Sequence, residues 1–347
     1  MKIVHLIFDL NTGGAETMLV DILNEQIKTE QVSLIIINDE VNKQLLDQID
    51  KRVKVILIGR KEKSRKPIPI FKLNWYLLQI NPDVIHCHHL TAIQIIAYRK
   101  NAVITIHTTR VPVDYLGKYK KVFAISNAVK KDIELRCEIK PVLIYNGIHI
   151  DEILKREDYT YKTFRIVQVS SLNNEIKGQH ILLEALKIIV YEKCIKNISL
   201  DFIGEGKSLA YLKELVNKYQ LNEFVNFLGL KDREYIYEHL KDYNLLVQPS
   251  LYEGFGLTIV EAMAAKVPVL VSDIDGPLEV IGNGKYGMKF NITDGRDCGS
   301  KIFEIMNKNE NIVLNECIEV LKFVKQNFSV SETAAKYINY YKDLLNE

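Results

Sequence analysis

The segment LLVQPSLYEGFGLTIVEAMAAKVPVLVS, residues 245–272, combines two short apolar runs with a loop and a helical stretch. The apolar runs 245–247 and 269–271 predict strands that are buried on both faces of a sheet. Residues 252–256 lie between them as a loop, whose two glycines let the backbone approach a ligand closely. A helix is predicted over 257–266 and ends before a proline. This order of elements is typical of a parallel α/β sheet.

The start of this helix is a predicted anion-binding position. A helix N-terminus offers free N–H groups and a partial positive charge, both of which favour phosphate. Glu253 precedes the helix and Glu261 lies about one turn inside it. A carboxylate can accept hydrogen bonds from two neighbouring hydroxyls of a sugar. A sugar nucleotide consists of phosphate groups with a hydroxyl-bearing sugar on either side, so these residues predict a sugar-nucleotide site. A capped helix with two solvated glutamates is the alternative that this segment leaves open.

The composition fits a globular protein of two domains. The chain has 347 residues, of which 47% are apolar and 26% are charged. It has no apolar run of 18 residues that could span a bilayer, and it begins with a strand pattern instead of a cleavable signal. The five cysteines are scattered without a CxxC pair, which argues against a structural zinc site. We therefore expect a protein of the reducing cytoplasm.

The charge is unevenly distributed along the chain. Residues 1–150 carry 22 basic and 15 acidic side chains, whereas the remainder carries 24 and 29. Five of the seven residues 60–66 are basic, and the aromatic-rich segment that follows contains Trp75, the single tryptophan. This pattern predicts peripheral contact with an anionic membrane. A solvated loop before a helix packed on the sheet explains it equally well.

Two strand ends in the first half are candidate ligand positions. A strand predicted over 2–8 leads into Gly13 and Gly14, which is the arrangement of a Rossmann-like phosphate turn. Simple turn geometry is the alternative for such a pair. His107 follows a strand predicted over 102–106, and the carboxyl ends of parallel strands are where α/β proteins bind ligands. A buried core histidine is the alternative there.

Three further histidines, His86, His88 and His89, end another predicted strand. Successive side chains of a strand point to alternate faces, so these residues show no clear ligand geometry. We therefore expect no metal site in this cluster.

Lys177 and Gly178 are the candidate anion-binding residues of the second half. They follow a strand predicted over 165–170 and open a helix predicted over 179–191. A lysine at a helix start can bind phosphate through its charge. The other elements of this half are predicted as a linker over 151–163, a glycine turn at 204–206, a loop over 273–279, and amphipathic helices over 311–326 and 331–346.

These motifs resemble the retaining family-4 glycosyltransferases. Residues 253–261 match their Glu-x7-Glu motif, and GGAE at 13–16 matches their first glycine loop. The resemblance covers nearly the whole chain and implies the GT-B fold, an α/β architecture of two Rossmann-like domains whose parallel sheets face across a cleft. It places an acceptor-binding domain at 1–155 and a nucleotide-sugar-binding domain at 156–330. A C-terminal helix at 331–347 would pack back on the first domain.

The resemblance also implies roles for single residues. Glu261 would bind the donor ribose, and Glu253 and His107 would contact the transferred sugar as catalytic residues. Lys177 and backbone N–H groups at the helix start would bind the pyrophosphate. The implied donor-binding set is Gly14, Ser171, Lys177, Glu205, Leu230, Gly254, Phe255, Gly256, Leu257, Thr258 and Glu261.

Ser171 is the main departure from the family pattern, which has an arginine at this position. Losing one charge-assisted hydrogen bond to phosphate removes about 1.5–3 kcal/mol. Another cation must replace this arginine, or donor binding is weaker.

The expected function is retaining transfer of a sugar from a UDP-linked donor to a glycan or polyprenyl-linked acceptor in surface polysaccharide biosynthesis. The resemblance implies front-face attack in which the leaving phosphate helps to deprotonate the acceptor. It implies no metal, no other cofactor and no nucleic acid partner. A UDP-sugar 2-epimerase and a non-catalytic nucleotide-sugar-binding protein are the alternatives. A nicotinamide-dependent enzyme is disfavoured, because no GxGxxG follows the first strand.

Overall fold

The computed structural model describes residues 1–11, 13–62, 64 and 66–346. The chain divides into two compact units, which are Met1–Ile148 with Phe328–Glu347, and His149–Asn327. The first unit ends at residue 148 and resumes at residue 328, whereas the predicted domains end at residues 155 and 330. Among the described residues, no helix is both long enough and apolar enough to cross a lipid bilayer.

Each unit is built on a parallel β-sheet. The strands in chain order are β1 (Lys2–Ile7), β2 (Gln31–Asn38), β3 (Lys54–Arg60), β4 (Val84–Cys87), β5 (Ala102–Ile106), β6 (Lys121–Ala124), β7 (Val142–Leu143), β8 (Phe164–Val169), β9 (Ile198–Ile203), β10 (Val225–Phe227), β11 (Leu245–Gln248), β12 (Val269–Ser272) and β13 (Met288–Phe290). The first sheet has the order β3-β2-β1-β4-β5-β6-β7, and the second has the order β10-β9-β8-β11-β12-β13. Two Rossmann-like units of parallel strands confirm the predicted fold class.

Helices connect the strands of both sheets. They are α1 (Gly14–Gln26), α2 (Lys43–Asp47), α3 (Ile68–Ile80), α4 (Asn127–Glu134), α5 (Asn174–Lys177), α6 (Gln179–Lys187), α7 (Leu209–Lys218), α8 (Arg233–His239), α9 (Leu257–Ala264), α10 (Asp275–Val280), α11 (Gly295–Met306), α12 (Glu310–Asn327) and α13 (Val330–Asn346). A π-helical turn, Ile188–Glu192, extends α6. Short 3-10 turns lie at Leu90–Gln94, Leu116–Lys118, Ile150–Glu152, Leu240–Asp242 and Gly282–Gly284.

The strand order of each sheet reverses direction at one point. In the first sheet this point lies between β1 and β4, and in the second it lies between β8 and β11. Loops that leave the carboxyl ends of two such strands run to opposite sides of the sheet, which opens a crevice for ligands. The topology therefore indicates one candidate ligand position in each unit.

The prediction of a loop over 273–279 is wrong, because α10 occupies Asp275–Val280. Gly276 and Pro277 read as a turn in the sequence. Proline is tolerated in the first turn of a helix, where its missing N–H has no intrahelical acceptor. A Cβ on Gly276 would lie 2.4 Å from the Glu253 carbonyl oxygen, so the glycine allows α10 to pack directly on the backbone of the 253–254 loop.

The C-terminal helix α13 packs in the first unit through a buried polar network. Tyr341 hydrogen-bonds with Nδ1 of His86 on β4, and Tyr337 hydrogen-bonds with Oγ1 of Thr105 on β5 at 3.0 Å. Both tyrosines are fully buried. The chain reaches this position through a close backbone approach, since a Cβ on Gly147 would lie 2.5 Å from the backbone of Ser329.

Replacing Tyr341 with Phe removes the hydroxyl that pairs with His86 and leaves a buried ring nitrogen without a partner. We expect the unfolding free energy of the first unit to fall by about 1–3 kcal/mol. Scanning calorimetry at neutral pH measures this change. Tyr340→Phe is the matched control, because the Tyr340 hydroxyl makes no hydrogen bond to any residue that the structure describes. Equal transition midpoints for the two variants would contradict the network.

Candidate active site

The carboxyl ends of β8 and β11 carry the predicted phosphate-binding and sugar-binding residues of the second unit. The chain after β8 forms a loop, the short helix α5 and then Gly178 at the start of α6. The chain after β11 forms the loop 249–256 and then α9. β8 and β11 are paired parallel neighbours, so both loops emerge at the same edge of the sheet and at its reversal point.

The two loops are in direct backbone contact. Gly178 has a φ of +65°, and a Cβ at this position would lie 1.9 Å from the carbonyl oxygen of Pro249. The N–H of Leu251 donates to the carbonyl of Ile176 at 2.8 Å. Only glycine combines this left-handed conformation with such a close approach. Gly178 therefore fixes the position of Lys177 relative to the loop that carries Glu253.

Lys177 and Glu253 form an ion pair across this contact. The lysine Nζ lies 2.6 Å from Oε2 of the glutamate, and the side chains keep 21% and 17% of their exposure. Both groups are thus largely withdrawn from water but remain accessible to a small ligand. The sequence indicated separate roles for them, on phosphate and on sugar. The structure brings them together, so the lysine charge is balanced by the glutamate when no ligand is bound.

The N-terminus of α9 lies directly after Glu253 in the chain. Gly256 is its N-cap residue with a φ of +102°, and Leu257 is its first residue. The N–H groups of Leu257 and Thr258 have no acceptor in the described part of the chain. A helix N-terminus with free N–H groups attracts anions. The Lys177 ammonium group and these N–H groups therefore provide two sources of positive charge in one loop region.

The remaining predicted residues of this unit lie near the same sheet edge. Phe255 is buried beneath the loop, Gly254 is partly exposed, and Glu261 is partly exposed in the second turn of α9. Glu205 and Leu230 follow β9 and β10 and are both exposed. A Cβ on Gly229 would lie 3.7 Å from the Glu205 carboxylate, which places Glu205 beside the Leu230 turn.

Two buried glutamines that support the site were missed in the sequence. Nε2 of Gln168 donates to the carbonyl of Lys177 at 2.9 Å. Nε2 of Gln179 donates to Oγ of Ser170 at 3.1 Å and to the carbonyl of Ser171 at 3.0 Å. These bonds fix the backbone on both sides of α5. The available signal was an amide near the end of the mostly apolar strand FRIVQV, because an amide buried there needs partners.

In the first unit, Gly14 begins α1 after β1, with Gly13 as the N-cap residue. Thr12, which completes the predicted glycine loop, lies outside the described residues. A Cβ on Gly13 would lie 2.4 Å from a carboxylate oxygen of Glu16, so the glycine leaves space for this acid. Burial is the main reason why the pKa of Glu16 is raised.

Four histidines of the first unit form a compact cluster, although the sequence showed no clear ligand geometry for His86, His88 and His89. His86 and His88 on the β4 strand end meet His5 of β1, and their nearest ring nitrogens lie within 4.8 Å of one another. The rings of His86 and His88 stack with centroids 4.5 Å apart. Metal ligands direct their in-plane lone pairs at one point, whereas stacked rings have nearly parallel planes. The ring of His107 lies next to that of His88, edge to edge, with the two centroids 5.7 Å apart.

Known families match consecutive parts of the chain. Glycosyltransferase Family 4 matches residues 12–152, and Glycosyl transferases group 1 matches residues 150–318. The chain belongs to the group 1 glycosyltransferases.

Solved structures with the GT-B fold resemble this glycosyltransferase over its full length. HepE of Anabaena, in complex with UDP and glucose, is 21% identical with a TM-score of 0.83, and the match covers 99% of both chains. A mutant of TarM from S. aureus, in complex with fondaparinux, α-GlcNAc-glycerol and UDP, is 15% identical with a TM-score of 0.82 over 100% of both chains. Identities this low support the shared fold alone.

Curated relatives match over shorter stretches. An uncharacterised glycosyltransferase of Methanocaldococcus jannaschii is 27% identical over 190 residues, which is 55% of this chain and 50% of the relative. The chain therefore spans about half the length of this relative.

Ser171 remains the departure of this group 1 glycosyltransferase from the expected pattern. The residue is exposed after β8 and supplies a hydroxyl where an arginine was expected. Lys207 follows the glycine turn after β9, and its Nζ pairs with Glu175 of α5 at 2.6 Å. A cation is therefore present on the neighbouring loop, although its side chain is largely exposed.

Burial keeps the four clustered histidines neutral. It lowers the pKa of His5 and of His107 to about 4. It also holds the pKa of His86 and of His88 well below the ordinary value, with further lowering from neighbouring histidines. Because the pKa of these rings is lower in the folded state than in the unfolded state, protonation favours unfolding. The folded state is therefore most stable at a pH where the rings are neutral.

We expect the first unit to lose stability as the pH falls from 6.5 towards 4. The unfolded chain binds protons below pH 6.5, whereas folded His5 binds one only near pH 4. His5 alone then contributes a loss of about 3 kcal/mol over this range. Urea unfolding at several pH values measures it.

His5→Asn is expected to start less stable and to lose about 3 kcal/mol less on acidification than the wild type. His239→Gln replaces a histidine of the second unit that pairs with Asp242, and it is expected to leave the pH dependence of the first unit unchanged. A first unit that is equally stable at pH 7.5 and pH 4.5 would contradict burial of neutral imidazoles.

Proposed function

We propose that this protein transfers a sugar, with retention of anomeric configuration, from a UDP-linked donor to a glycan or polyprenyl-linked acceptor. The observation that carries the proposal is the Lys177–Glu253 pair beside free N–H groups at the start of α9. This arrangement offers positive charge for a diphosphate and a carboxylate for sugar hydroxyls. The nucleotide in the HepE and TarM structures, UDP, supports the choice of donor.

The proposed mechanism begins with an exchange of partners. The donor diphosphate takes over Lys177 from Glu253, because two negative charges on phosphate attract the amine more strongly than one carboxylate does. Glu253 is then released to accept hydrogen bonds from hydroxyls of the transferred sugar. Glu261, one turn into α9, is proposed to bind the ribose. In this proposal, donor binding frees the Glu253 carboxylate to bind the transferred sugar.

Stabilisation of the leaving diphosphate is the proposed source of rate enhancement. Negative charge grows on the phosphate oxygen as the glycosidic bond breaks. Lys177 and the N–H groups of Leu257 and Thr258 are fixed in place to stabilise that charge. The leaving phosphate is proposed to accept the proton of the acceptor hydroxyl on the same face of the sugar, which retains configuration. We propose that these groups act without a metal ion.

Lys177→Met is expected to weaken UDP binding by about tenfold or more, since a charge-assisted hydrogen bond contributes about 1.5–3 kcal/mol. Glu253→Gln is expected to tighten UDP binding by a few-fold, because the phosphate no longer competes with a carboxylate for the lysine. Isothermal titration calorimetry measures both. Lys301→Met, which breaks an exposed pair with Glu304, is the charge-matched control. Changes of the same sign in the first two variants would contradict the exchange.

The reaction itself is tested by incubating the protein with UDP-glucose, UDP-galactose and UDP-N-acetylglucosamine, with and without a lipid extract as acceptor. A retaining transferase gives slow hydrolysis that first releases the α-anomer of an α-linked donor, seen by proton NMR, and faster UDP release with an acceptor. An altered hexose still linked to UDP identifies the epimerase. Binding without sugar release under all conditions identifies the non-catalytic alternative. Lys177→Met is the inactive reference.

Contact with an anionic membrane is proposed through α3. Its buried face, Leu73 and Leu77, packs on the first sheet. Four large apolar side chains on the opposite face follow helical spacing and are exposed: Ile68 73%, Phe71 73%, Trp75 55% and Leu78 72%. A stripe of this kind exceeds what scattered surface residues provide.

Charge next to α3 favours a lipid surface as the occupant of this stripe. Arg60, Lys61 and Lys66 precede the helix, and Lys72 lies on it. Lys63 and Arg65 of the predicted basic run lie outside the described residues. An amphipathic helix with flanking basic residues binds anionic head groups and inserts its apolar side chains. The five cysteines are all free thiols, which supports a reducing compartment, and we propose the cytoplasmic face of the membrane.

Replacing both Phe71 and Leu78 with Ser is expected to reduce binding to phosphatidylglycerol-containing vesicles at least tenfold, because each fully inserted side chain contributes about 1.5–3 kcal/mol. Cosedimentation measures the bound fraction. Leu135→Ser removes a leucine elsewhere in the first unit that is even more exposed, at 86%, and is expected to bind as the wild type. Absence of wild-type binding, or equal binding by all variants, would contradict the membrane proposal.

A further inference from the structure

A chain of hydrogen-bonded imidazoles connects a buried glutamine with His107. Oε1 of Gln26 on α1 lies 2.8 Å from Nε2 of His5. Nδ1 of His5 lies 3.0 Å from Nε2 of His88, and Nδ1 of His88 lies 3.4 Å from Nε2 of His107. The four residues come from α1, β1 and the ends of β4 and β5. This chain of hydrogen bonds thus crosses the point where the strand order of the first sheet reverses.

Each link of this chain has a direction. A neutral imidazole has one N–H donor and one bare acceptor nitrogen, and every link needs one donor and one acceptor. With Oε1 of Gln26 facing His5, the carbonyl oxygen can only accept, so in this amide orientation His5 carries its proton on Nε2. His5 Nδ1 then accepts from His88 Nε2–H, and His88 Nδ1 accepts from His107 Nε2–H. One amide orientation therefore determines the tautomer of three histidines.

The chain ends on an acceptor that has no donor. Nδ1 of His107 is buried and has no hydrogen-bond partner within residues 1–11, 13–62, 64 and 66–346. A buried polar atom without a partner destabilises the protein and is uncommon. His107 also lies at the carboxyl end of β5, where ligands of parallel sheets bind. The free lone pair is therefore suited to a donor group of a ligand.

His86 belongs to a separate branch and does not supply this chain. Its Nδ1 hydrogen-bonds with Tyr341 and its Nε2 with Thr105 at 2.7 Å. Its ring stacks on that of His88, and its centroid lies 5.0 Å from that of His5 with the two planes tilted by 40°. Both of its nitrogens are thus occupied, so His86 has no nitrogen left to hydrogen-bond with His5 or His88.

We propose that Gln26, His5 and His88 are positioning residues that hold His107 in the Nε2–H tautomer, so that its Nδ1 accepts a hydrogen bond from a sugar hydroxyl of the substrate. The tautomer part stands on the geometry of the first unit alone. The ligand part rests on the proposed sugar transfer.

The tautomers are measured by long-range proton–nitrogen NMR of ligand-free protein with ¹⁵N-labelled histidine at pH 7.5. The expected result is a proton on Nε2 of His5, His88 and His107 in the wild type. Gln26→Leu removes the fixed acceptor and is expected to give a mixture of tautomers at His107. Asn24→Leu removes another side-chain amide of α1, one that bonds to Gln48 and Asp50, and is expected to leave the tautomers unchanged. A proton on Nδ1 of wild-type His107, or no change in Gln26→Leu, overturns the proposal.

Titration calorimetry tests the ligand part with UDP and UDP-glucose. Gln26→Leu is expected to lose about tenfold in affinity for UDP-glucose while its affinity for UDP stays within twofold, because the hydroxyl that would donate to His107 belongs to the glucose, which UDP lacks. An equal loss for both ligands, or no loss, overturns the positioning role. A wild type that binds neither ligand refutes the proposed function, and the tautomers then still decide whether the chain is polarised as described.

Discussion

The close approach of Gly178 to the Pro249 carbonyl is the constraint on which the second unit's candidate site depends. It allows two loops from neighbouring strands to touch, and it places Lys177 2.6 Å from Glu253. Any larger side chain at residue 178 would separate the loops. The buried amides of Gln168 and Gln179 hydrogen-bond to the backbone carbonyls of Lys177 and Ser171 and hold the first of these loops in place. The cation, the carboxylate and the free N–H groups of α9 are thus positioned by glycine geometry and amide hydrogen bonds.

The two units differ in the chemical groups that lie at their candidate ligand positions. Both place candidate ligand residues at the point where strand order reverses. The second unit gathers charged groups there, in a loop region that a phosphate can enter. The first unit gathers neutral imidazoles, whose pKa values are lowered by burial. Charge suits the binding of a diphosphate, whereas neutral nitrogen atoms suit hydrogen bonds to hydroxyl groups.

Much of this architecture could be predicted, because apolar runs and the Glu-x7-Glu segment are local signals. The strands and the family follow from them. The α10 helix was missed because the packing of Gly276 on the Glu253 carbonyl involves residues far apart in the chain. The pairing of Lys177 with Glu253, 76 positions later, and the meeting of His5 with His88 are likewise long-range. Periodicity and spacing describe single elements, so contacts between elements need the structure.

A crystal structure of the protein with bound UDP tests the central claim most directly. The account predicts that the diphosphate lies against the first turn of α9, with Lys177 Nζ about 2.7–2.9 Å from a phosphate oxygen and released from Glu253. The carboxylate of Glu253 would then face the position of the absent sugar. A structure in which UDP binds elsewhere while the Lys177–Glu253 pair stays intact would contradict the account.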